Sequence, residues 1–590
     1  MWAASLPCDR YNRAGPPLRA ATRPSPGSPA LLASLPRSAW ALIAAIVAFS
    51  WFAALDLRKL QHPDEGRYAE IAREMRASGD WLTPRLNGIK YFEKPPLQYW
   101  VTAASFAAFE TDQWTARLAP AVAGFALILV VGFTAAALAG PTAGAYAALA
   151  LAGCVWHIGL THFLTLDALL EFLLAAALCS FLLANRDGLR GGKVRLWMLL
   201  AWAEIALATL TKGVVALAIP GATLVLYSLF TRDVGPWRRL HLGWGLVVYL
   251  AIAAPWFVLV SAANPGFAEF FFIHEHVQRF LTTEHRRTGP LWYFVPIFLV
   301  GVMPWLSIAP WTWRASWRAP AAGNGFRWRA FCLAWAAFVF AFFSASGSKL
   351  PSYILPMFPA LMLVLGASLA EMPARRIAWL LGPLAIGAVA LAAAVFVGFE
   401  RLIPRVASPG QPAALFEAYV PWARAGSAII AAAAVAGWWL LRRGDDRSKT
   451  LGIAAVALGT LVGFQVLFVG HDVFRTTRSG YDILREAKNA RGAPLDASAP
   501  FFQVGSYDQT VPFYLGRTTT LVAFRDEFSM GLDMEPGLAI PTEAAWAATW
   551  ADLKDGYALM PISDYERFAG EGVPMKVLAR DPRRVLVSRR

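Results

Sequence analysis

The sequence predicts an α-helical polytopic membrane protein with a small α/β domain at its C-terminus. Of its 590 residues, 57% are hydrophobic and only 16% are charged, whereas soluble proteins average about 25% charged residues. The apolar residues are concentrated in long uncharged runs between residues 39 and 470, as a bilayer requires of spanning helices. These observations exclude a soluble enzyme, a disordered chain and a secreted disulfide scaffold.

The apolar runs predict about thirteen membrane-spanning helices, since each crossing needs about 20 mostly apolar residues. They lie at 39–56, 114–139, 142–160, 166–184, 195–211, 213–231, 241–261, 289–312, 327–346, 351–371, 376–398, 422–442 and 450–470. An odd number of crossings places the two termini on opposite sides of the membrane.

Basic residues in the short connections predict the orientation of these helices. The connections at 185–195, 232–240, 313–329, 372–376 and 442–449 together carry 17 Lys and Arg. Because short cytoplasmic loops are enriched in Lys and Arg, we place these connections and the N-terminus in the cytoplasm. The segments 57–113, 262–288, 399–421 and 471–590 are then outside. The net charge of +15 is explained by this topology, and no nucleic-acid partner is needed.

Composition divides the chain into three parts. Residues 1–38 are rich in Pro, Ala, Ser and Arg, which predicts a disordered cytoplasmic tail. Residues 39–470 form the predicted transmembrane domain, and residues 471–590 the domain outside the membrane. In this last part we expect strands at 500–506, 518–524, 557–562 and 583–590 and a helix at 542–553, a pattern typical of a small α/β domain. No motif in it indicates its role.

The first outer loop contains a segment with helical periodicity. Its apolar positions share one face and are Tyr68, Ile71, Ala72 and Met75. With charged residues opposite, this pattern is typical of an amphipathic helix on the bilayer surface. Asp64 and Glu65 stand at its start, where acids can cap free amides or complement the helix dipole. A role for these acids in a functional site is the alternative.

Two opposite charges follow in the same loop, in the segment YFEKPP. Glu93 and Lys94 precede two prolines. The prolines prevent a helix from continuing here, so the two charges cannot form ion pairs with residues four positions away on a helix. On such a rigid turn we expect the two side chains to point in different directions. A lysine here can clamp a phosphate, and a glutamate can hold a metal or a cationic substrate group. An ordinary solvated turn is the alternative.

A histidine- and arginine-rich segment marks the next long outer loop, around HEHVQRF. His274 and His276 are two residues apart and cannot share a helix face, so as a metal motif they are weak by themselves. His274 can still supply one ligand while a distant loop supplies the others. Arg279 is better suited to bind an anion, because a guanidinium offers forked donors that match phosphate.

Single polar residues occur at the outer ends of other predicted helices. They are Asp167, Lys212, Lys349 and Tyr353. A lone lysine at a helix end usually extends to the membrane interface, and Asp167 can cap a helix, so each has a structural alternative. All the candidates nevertheless fall on the same, outer side of the predicted membrane.

The segments HPDEGRYAEIAREMRASGDW, YFEKPPLQYW, HEHVQRF and SGSKLPSYILPMFPA closely resemble the bacterial aminoarabinose transferase family. That family belongs to the polyprenyl-phosphate-dependent GT-C glycosyltransferases, which include the protein O-mannosyltransferases. The resemblance covers residues 39 to about 360. It implies a multi-pass protein of the bacterial inner membrane with a periplasmic C-terminal domain. It also implies transfer of 4-amino-4-deoxy-L-arabinose from undecaprenyl phosphate to a phosphate of lipid A, without a nucleotide or organic cofactor.

The resemblance also implies roles for individual residues. Asp64, Glu65 and Asp167 are the candidate catalytic acids, and Lys94, Arg279 and Tyr353 match positions that bind the donor phosphate. Glu93 and His274 match positions that can hold a divalent ion, with zinc as the candidate, and Tyr91, His276, Lys212 and Lys349 are further cavity candidates. A phosphate acceptor needs little deprotonation, so Asp64 or Glu65 can instead pair with the amine of the sugar.

Two other functions remain open from the sequence. A transferase of the same architecture can use another sugar, or a glycan or protein hydroxyl as acceptor, in which case Asp64 becomes a stronger candidate for a general base. A transporter or flippase can also have many spans, but it should carry acids or broken helices near the middle of the membrane. The acids in this chain cluster at one boundary, which favours the enzyme.

Overall fold

The computed structural model of the protein describes residues 34–278 and 289–589, with the backbone alone described at 274–278. The predicted tail therefore lies almost entirely outside the described residues, as does Arg279. The described transmembrane part is built from helices. They are α1 (Arg37–Phe52), α4 (Gln113–Ala139), α5 (Pro141–Ala152), α6 (Val155–Thr161), α7 (Leu166–Ala184), α8 (Gly192–Lys212), α9 (Val215–Thr231), α10 (Leu242–Ala263), α11 (Phe294–Gly301), α12 (Ala309–Trp317), α13 (Trp328–Ala345), α14 (Phe358–Glu371), α15 (Ala374–Val406), α16 (Ala413–Arg443) and α17 (Asp446–Gly470).

The predicted fold class is confirmed. Within the described ranges, nine helices are long and apolar enough to cross a membrane, and α5 with α6 gives a tenth as one span bent by 59°. The shorter apolar helices α1, α9 and Leu291–Gly301 coincide with the remaining predicted runs. Every predicted run therefore falls on helical structure, while the number thirteen stays a prediction, because three of these helices are shorter than a crossing usually needs.

Small residues allow the helices of the bundle to approach closely. Gly437 on α16 and Gly452 on α17 face each other, and a Cβ added to either would lie 2.8 Å from the carbonyl oxygen of the other. Close backbone packing of this kind stabilises helix pairs in lipid, where the hydrophobic effect contributes little between helices. A larger side chain at either glycine would separate α16 from α17.

The first outer loop folds into α2 (Asp64–Ser78), the short strands β1 (Arg85–Leu86) and β2 (Ile89–Lys90), and α3 (Leu97–Ala108). The amphipathic helix α2 is confirmed, but the expectation that its apolar face lies on the bilayer is wrong. That face is buried in one apolar cluster with α3 and with residues of the C-terminal domain, among them Tyr507, Phe513, Leu521, Phe528 and Leu532. The C-terminal domain supplies the apolar surface that the periodicity of α2 requires.

The C-terminal segment forms a mixed α/β domain. Its elements are α18 (Arg475–Arg478), α19 (Tyr481–Arg491), β3 (Phe501–Val504), α20 (Thr510–Leu515), β4 (Thr520–Val522), α21 (Ser529–Met534), β5 (Ala539–Ile540), α22 (Glu543–Asp552), β6 (Tyr557–Pro561), α23 (Ile562–Gly570), β7 (Lys576–Arg580) and β8 (Arg584–Ser588). The sheet order is β5-β4-β3-β6-β8-β7. Strands β5, β4, β3 and β6 are parallel, and β8 is antiparallel to both its neighbours.

The four predicted strands of this domain and its predicted helix are all confirmed. The apolar run at 500–506 becomes β3, whose four residues are all buried, as expected for a central strand covered on both faces. Strand β7 was not predicted, because it lies at the sheet edge and most of its residues are exposed. Its apolar run is only three residues long, at 577–579, which is too short to predict a strand.

Hydrogen bonds attach this domain to the first outer loop. Asn87 Nδ2 donates to the Thr519 carbonyl oxygen at 2.7 Å, and the Thr519 amide donates to Asn87 Oδ1 at 2.7 Å. The Leu60 amide donates to the Tyr514 hydroxyl at 2.7 Å. The domain is thus docked on the loop that carries the predicted site.

Candidate active site

A cavity of about 500 Å³ opens at the predicted outer ends of α7, α8 and α13. Its polar lining consists of Glu93, Lys94, Asp167, Lys212, Ser346, Ser348, Ser352 and Tyr353. Its apolar lining consists of Leu170, Val214, Val215, Ala218, Phe272, Phe342, Phe343 and Pro356. Charged groups at the end of a helical bundle, beside apolar walls, suit a ligand with an anionic head and an apolar tail.

Glu93 and Lys94 reach the cavity from the turn between β2 and α3. Pro96 occupies the position just before α3, so the two charged residues remain outside the helix. Lys94 Nζ donates to the Glu93 carbonyl oxygen at 2.7 Å and lies 3.8 Å from Glu93 Oε2. The expectation that the two side chains point apart is therefore wrong. The turn folds the ammonium back over its neighbour, and both charges face the same cavity.

Three further residues of the cavity lining lie close together, namely Asp167, Lys212 and Tyr353. Asp167 lies in the first turn of α7 and forms an ion pair with Lys212, the last residue of α8. The Lys212 ammonium also lies 5.0 Å from the centre of the Tyr353 ring, within the range of a cation–π contact. An acid at a helix start and a base at a helix end both complement the helix dipoles. The predicted residues from three separate segments thus share one site.

Asp64 lies in the first turn of α2 and does not act as its N-cap. Pro63 occupies the capping position and no side chain caps it. Instead, Arg67 Nη1 donates to Asp64 Oδ1 at 2.6 Å, while Arg67 Nε pairs with Glu527 of the C-terminal domain. The Asp64 side chain remains 49% exposed. A partner outside the protein can therefore still reach this carboxylate.

Three buried tyrosines of the first outer loop belong to one apolar cluster, namely Tyr68, Tyr91 and Tyr99. The ring centres of Tyr68 and Tyr99 are 5.9 Å apart. Burial raises the pKa of Tyr68 well above its usual range, and the negative charges of Asp64 and Asp167 raise it further. Burial also raises the pKa of Tyr91, with a further contribution from Glu93. Tyr91 is buried in this cluster and does not line the cavity, contrary to the expectation from the sequence.

Glu65 points away from this cluster. Its carboxylate accepts two hydrogen bonds from Arg117 on α4, at 2.7 and 2.9 Å, and one from the Leu164 amide at 3.1 Å. Burial acts to raise the pKa of Glu65, but Arg117 holds it below its usual value. A buried bidentate pair of this kind joins the first loop to the bundle. The geometry gives Glu65 a structural role and does not bring it into the cavity.

Lys349 does not line the cavity either. Its Nζ donates to the carbonyl oxygens of Ser344 and Ser346, each at 2.8 Å. It thereby satisfies free carbonyl groups at the C-terminal end of α13, as lysines near helix ends commonly do. Lys212 and Lys349 look alike in the sequence, but only Lys212 reaches the site.

The predicted metal ligands are only partly described. Glu93 lines the cavity, whereas for His274 and His276 the structure describes only the backbone, in the π-helix Glu269–Gln278. Among the described side chains, no three His, Cys, Asp or Glu come together in a way that could hold a metal. Glu93 is a suitable oxygen ligand, and its carboxylate lies 3.8 Å from the Lys94 ammonium. Zinc therefore stays a prediction.

Two site residues were missed in the sequence. Arg67 carries a weak signal, since it follows Asp64 by three positions and can reach it on a helix. Glu527 carries none, because it is more than 450 residues away in the chain and lies in a domain without a recognisable motif.

Comparisons with known proteins agree with this geometry. Residues 489–589 match the family described as the aminoarabinose transferase C-terminal domain, and residues 39–277 match dolichyl-phosphate-mannose-protein mannosyltransferase. The crystal structure of ArnT from Cupriavidus metallidurans bound to undecaprenyl phosphate is similar over 94% of this chain and 99% of that chain. The TM-score is 0.88 and the sequence identity 38%. The apo structure of the same protein gives a TM-score of 0.86 at 37% identity, over 94% and 98% of the two chains.

Curated relatives carry the name undecaprenyl phosphate-alpha-4-amino-4-deoxy-L-arabinose arabinosyl transferase. The one from Edwardsiella ictaluri is 33% identical over 329 residues, which are 55% of this chain and 58% of the relative. The one from Shewanella sediminis is 36% identical over 322 residues, which are 53% and 56% of the two chains. The chain thus spans a little over half the length of the curated relatives it matches.

The fold and these similarities define the class of protein first, a polytopic membrane glycosyltransferase of the GT-C superfamily. Within that class, the chain belongs to the aminoarabinose transferase family. The resemblance predicted from the sequence motifs is confirmed.

Proposed function

We propose that the protein transfers 4-amino-4-deoxy-L-arabinose from undecaprenyl phosphate to a phosphate group of lipid A. The observation that carries the proposal is a cavity lined by Lys94, Lys212 and Tyr353 together with apolar residues of the helices. The names of the curated relatives support the same donor. Both substrates have long apolar tails, so reaction at the membrane boundary avoids extracting those tails into water.

The leaving group of this reaction is the polyprenyl phosphate, a stabilised anion. Negative charge grows on the phosphate as the bond to the sugar breaks, and in this proposal Lys94 of the cavity lining neutralises it. Arg279, which lies outside the described residues, is proposed as the second cation of this clamp. Tyr353 can donate a hydrogen bond to the same phosphate through its hydroxyl.

Asp64 has a different role in this proposal. Arg67 donates to one of its oxygens, while the side chain stays 49% exposed. We therefore assign Asp64 to pairing with the ammonium group of the aminoarabinose rather than to removing a proton. Asp167, held by Lys212, supplies the second acid near the sugar.

The position of the protein in the cell follows from the same proposal. We place the protein in the bacterial inner membrane, with the N-terminus in the cytoplasm and both the cavity and the C-terminal domain in the periplasm. The Lys- and Arg-rich connections support this orientation. If zinc binds, Glu93 and His274 would hold it and it would polarise phosphate oxygens. Elemental analysis of protein purified without chelators tests this prediction.

Purified full-length protein with defined donors and acceptors tests the proposed function. Mass spectrometry should show lipid A carrying the amino sugar when undecaprenyl-phosphate-linked aminoarabinose is supplied. The second candidate, transfer to a hydroxyl, is favoured by the match to the mannosyltransferase family, so a protein or glycan acceptor and a mannosyl donor form the other arms. Product only in those arms would reject lipid A phosphate as acceptor and aminoarabinose as the transferred sugar.

A further inference from the structure

Arg67 connects the transmembrane part to the C-terminal domain beside the candidate active site. It donates to Asp64 through Nη1 and pairs with Glu527 through Nε, and its side chain is only 12% exposed. Because a guanidinium is rigid and planar, fixing one edge of the group also fixes the other. The carboxylate of Glu527 therefore determines the orientation of the group that holds Asp64.

Glu527 is itself held in place. Gln509 Nε2 donates to Glu527 Oε1 at 2.7 Å, while Arg67 uses Oε2, so both oxygens are engaged. The Glu527 side chain is 8% exposed. A buried carboxylate with both oxygens bonded has little freedom to move, and charge-assisted hydrogen bonds of this kind are about twice as strong as neutral ones.

A glycine makes this contact between the two parts possible. If Gly66 carried a Cβ, the atom would lie 2.6 Å from the carbonyl carbon of Gln509 and 2.6 Å from the amide nitrogen of Thr510. Those are backbone atoms that a side-chain movement cannot relieve. The absence of a side chain at Gly66 therefore lets the domain bring Gln509 and Glu527 against the first turn of α2.

The contact is linked to the cavity through a shared apolar cluster. Phe528, the residue after Glu527, packs in one buried cluster with Tyr91 and Tyr99. Tyr91 is only two residues from Glu93, which lines the cavity. Burial raises the pKa of Tyr99, and the charges of Glu93, Glu527 and Asp64 raise it further. Glu527 belongs to the surroundings of the site rather than to a remote part of the interface.

We propose that Glu527 is a positioning residue of the active site, which acts through Arg67 to hold Asp64 toward the transferred sugar. The C-terminal domain is then part of the catalytic unit and not only a lid on the first outer loop. The inference rests on the proposed function, since Asp64 is taken to face the amino sugar.

The alternative is that Glu527 only helps to attach the domain. The chain offers a matched control in Glu535, which joins the same domain to the same loop. Arg85 donates to both its oxygens, at 3.0 and 3.1 Å. Changing Glu535 to glutamine removes an Arg–Glu ion pair between the same domain and the same loop without touching Arg67 or Asp64.

The experiment compares Glu527→Gln, Glu527→Asp and Glu535→Gln as full-length proteins in lipid nanodiscs. Glu527→Gln should lower kcat about tenfold to a hundredfold, because a misplacement of about 1 Å can cost about 10² in rate, with KM for the lipid-linked donor changed less than about twofold. Glu535→Gln should leave both constants near the wild-type values, and Glu527→Asp should recover part of the loss. Equal losses in the two glutamine variants, or no loss in either, would overturn the proposal.

Hydrogen exchange provides a readout that does not depend on turnover. Amides in the first turns of α2 should exchange faster in Glu527→Gln and at the wild-type rate in Glu535→Gln. If the wild-type protein transfers no aminoarabinose, the proposed function fails, but the exchange experiment still decides whether Glu527 orders this helix start. Unchanged exchange in Glu527→Gln would reject the positioning role.

Discussion

Lys212, the last residue of α8, forms an ion pair with Asp167 in the first turn of α7. The sequence left open whether this lysine extends into the water at the membrane interface. The structure turns it inward, where it also contacts the Tyr353 ring. The pair fixes one wall of the cavity and keeps a cation and an anion available to a charged headgroup.

A double-mutant cycle tests this pair. We expect Asp167→Asn and Lys212→Met each to lower the transfer rate, and the double variant to lose less than the two single effects combined. Contacting charged residues typically show coupling of about 0.5–3 kcal/mol. Initial rates of sugar transfer by the four proteins give the coupling directly. Independent effects of the two substitutions would show that the pair does not act as a unit.

The Glu65–Arg117 pair makes a separate prediction about stability. Changing only one partner leaves an uncompensated buried charge, which typically costs about 3–5 kcal/mol. Glu65→Gln should therefore lower the thermal unfolding temperature in detergent, and Glu65→Leu combined with Arg117→Leu should restore part of it. If Glu65 were instead a catalytic acid, Glu65→Gln would unfold like the wild type and lose only its activity.

The raised pKa of Glu74 predicts that the stability of the outer region depends on pH. Glu74 lies on α2, and burial together with the neighbouring Glu70 raises its pKa well above the usual range. The unfolded chain releases this proton near pH 4.3, so the folded protein binds more protons above that pH. The contribution of Glu74 to stability is then present at acid pH and is lost as the pH rises through its folded pKa.

Glu74→Gln removes this titration. The wild-type unfolding temperature should fall as the pH rises from about 5 to 8, and that of Glu74→Gln should fall less and be higher at the alkaline end. Differential scanning fluorimetry across this pH range measures the effect, with exposed Glu110→Gln as the control. Parallel curves for the wild type and Glu74→Gln would refute the proposed role of Glu74.

The helices of the bundle could be predicted from the sequence because lipid imposes a simple rule. A spanning segment must be apolar over its whole length, so hydropathy alone located runs such as 166–184, which becomes α7. The burial of α2 could not be predicted in this way. Its apolar face is covered by residues that are more than 400 positions later in the chain, and local periodicity does not specify which surface covers a helix.

The candidate site shows the same limit. Residue type and position selected Asp167 and Lys212, and the structure brings them together. The same reasoning selected Glu65, whose partner Arg117 lies inside an apolar helix, and Lys349, whose bonds are to backbone carbonyl groups. Partners of this kind depend on tertiary packing. The proximity of Glu527 to Arg67 likewise depends on the contact between the C-terminal domain and the first outer loop, which the sequence does not specify.

The most direct test of the account is the transfer rate of Lys94→Ala beside that of Lys90→Ala. Lys90 lies on β2 in the same loop but outside the cavity lining, with Glu535 at 3.8 Å. We expect Lys94→Ala to remain folded in the membrane and to transfer sugar about 10²–10³-fold more slowly than the wild type. Lys90→Ala should transfer sugar at nearly the wild-type rate. Near-wild-type transfer by Lys94→Ala would contradict the assignment of this cavity to the donor phosphate.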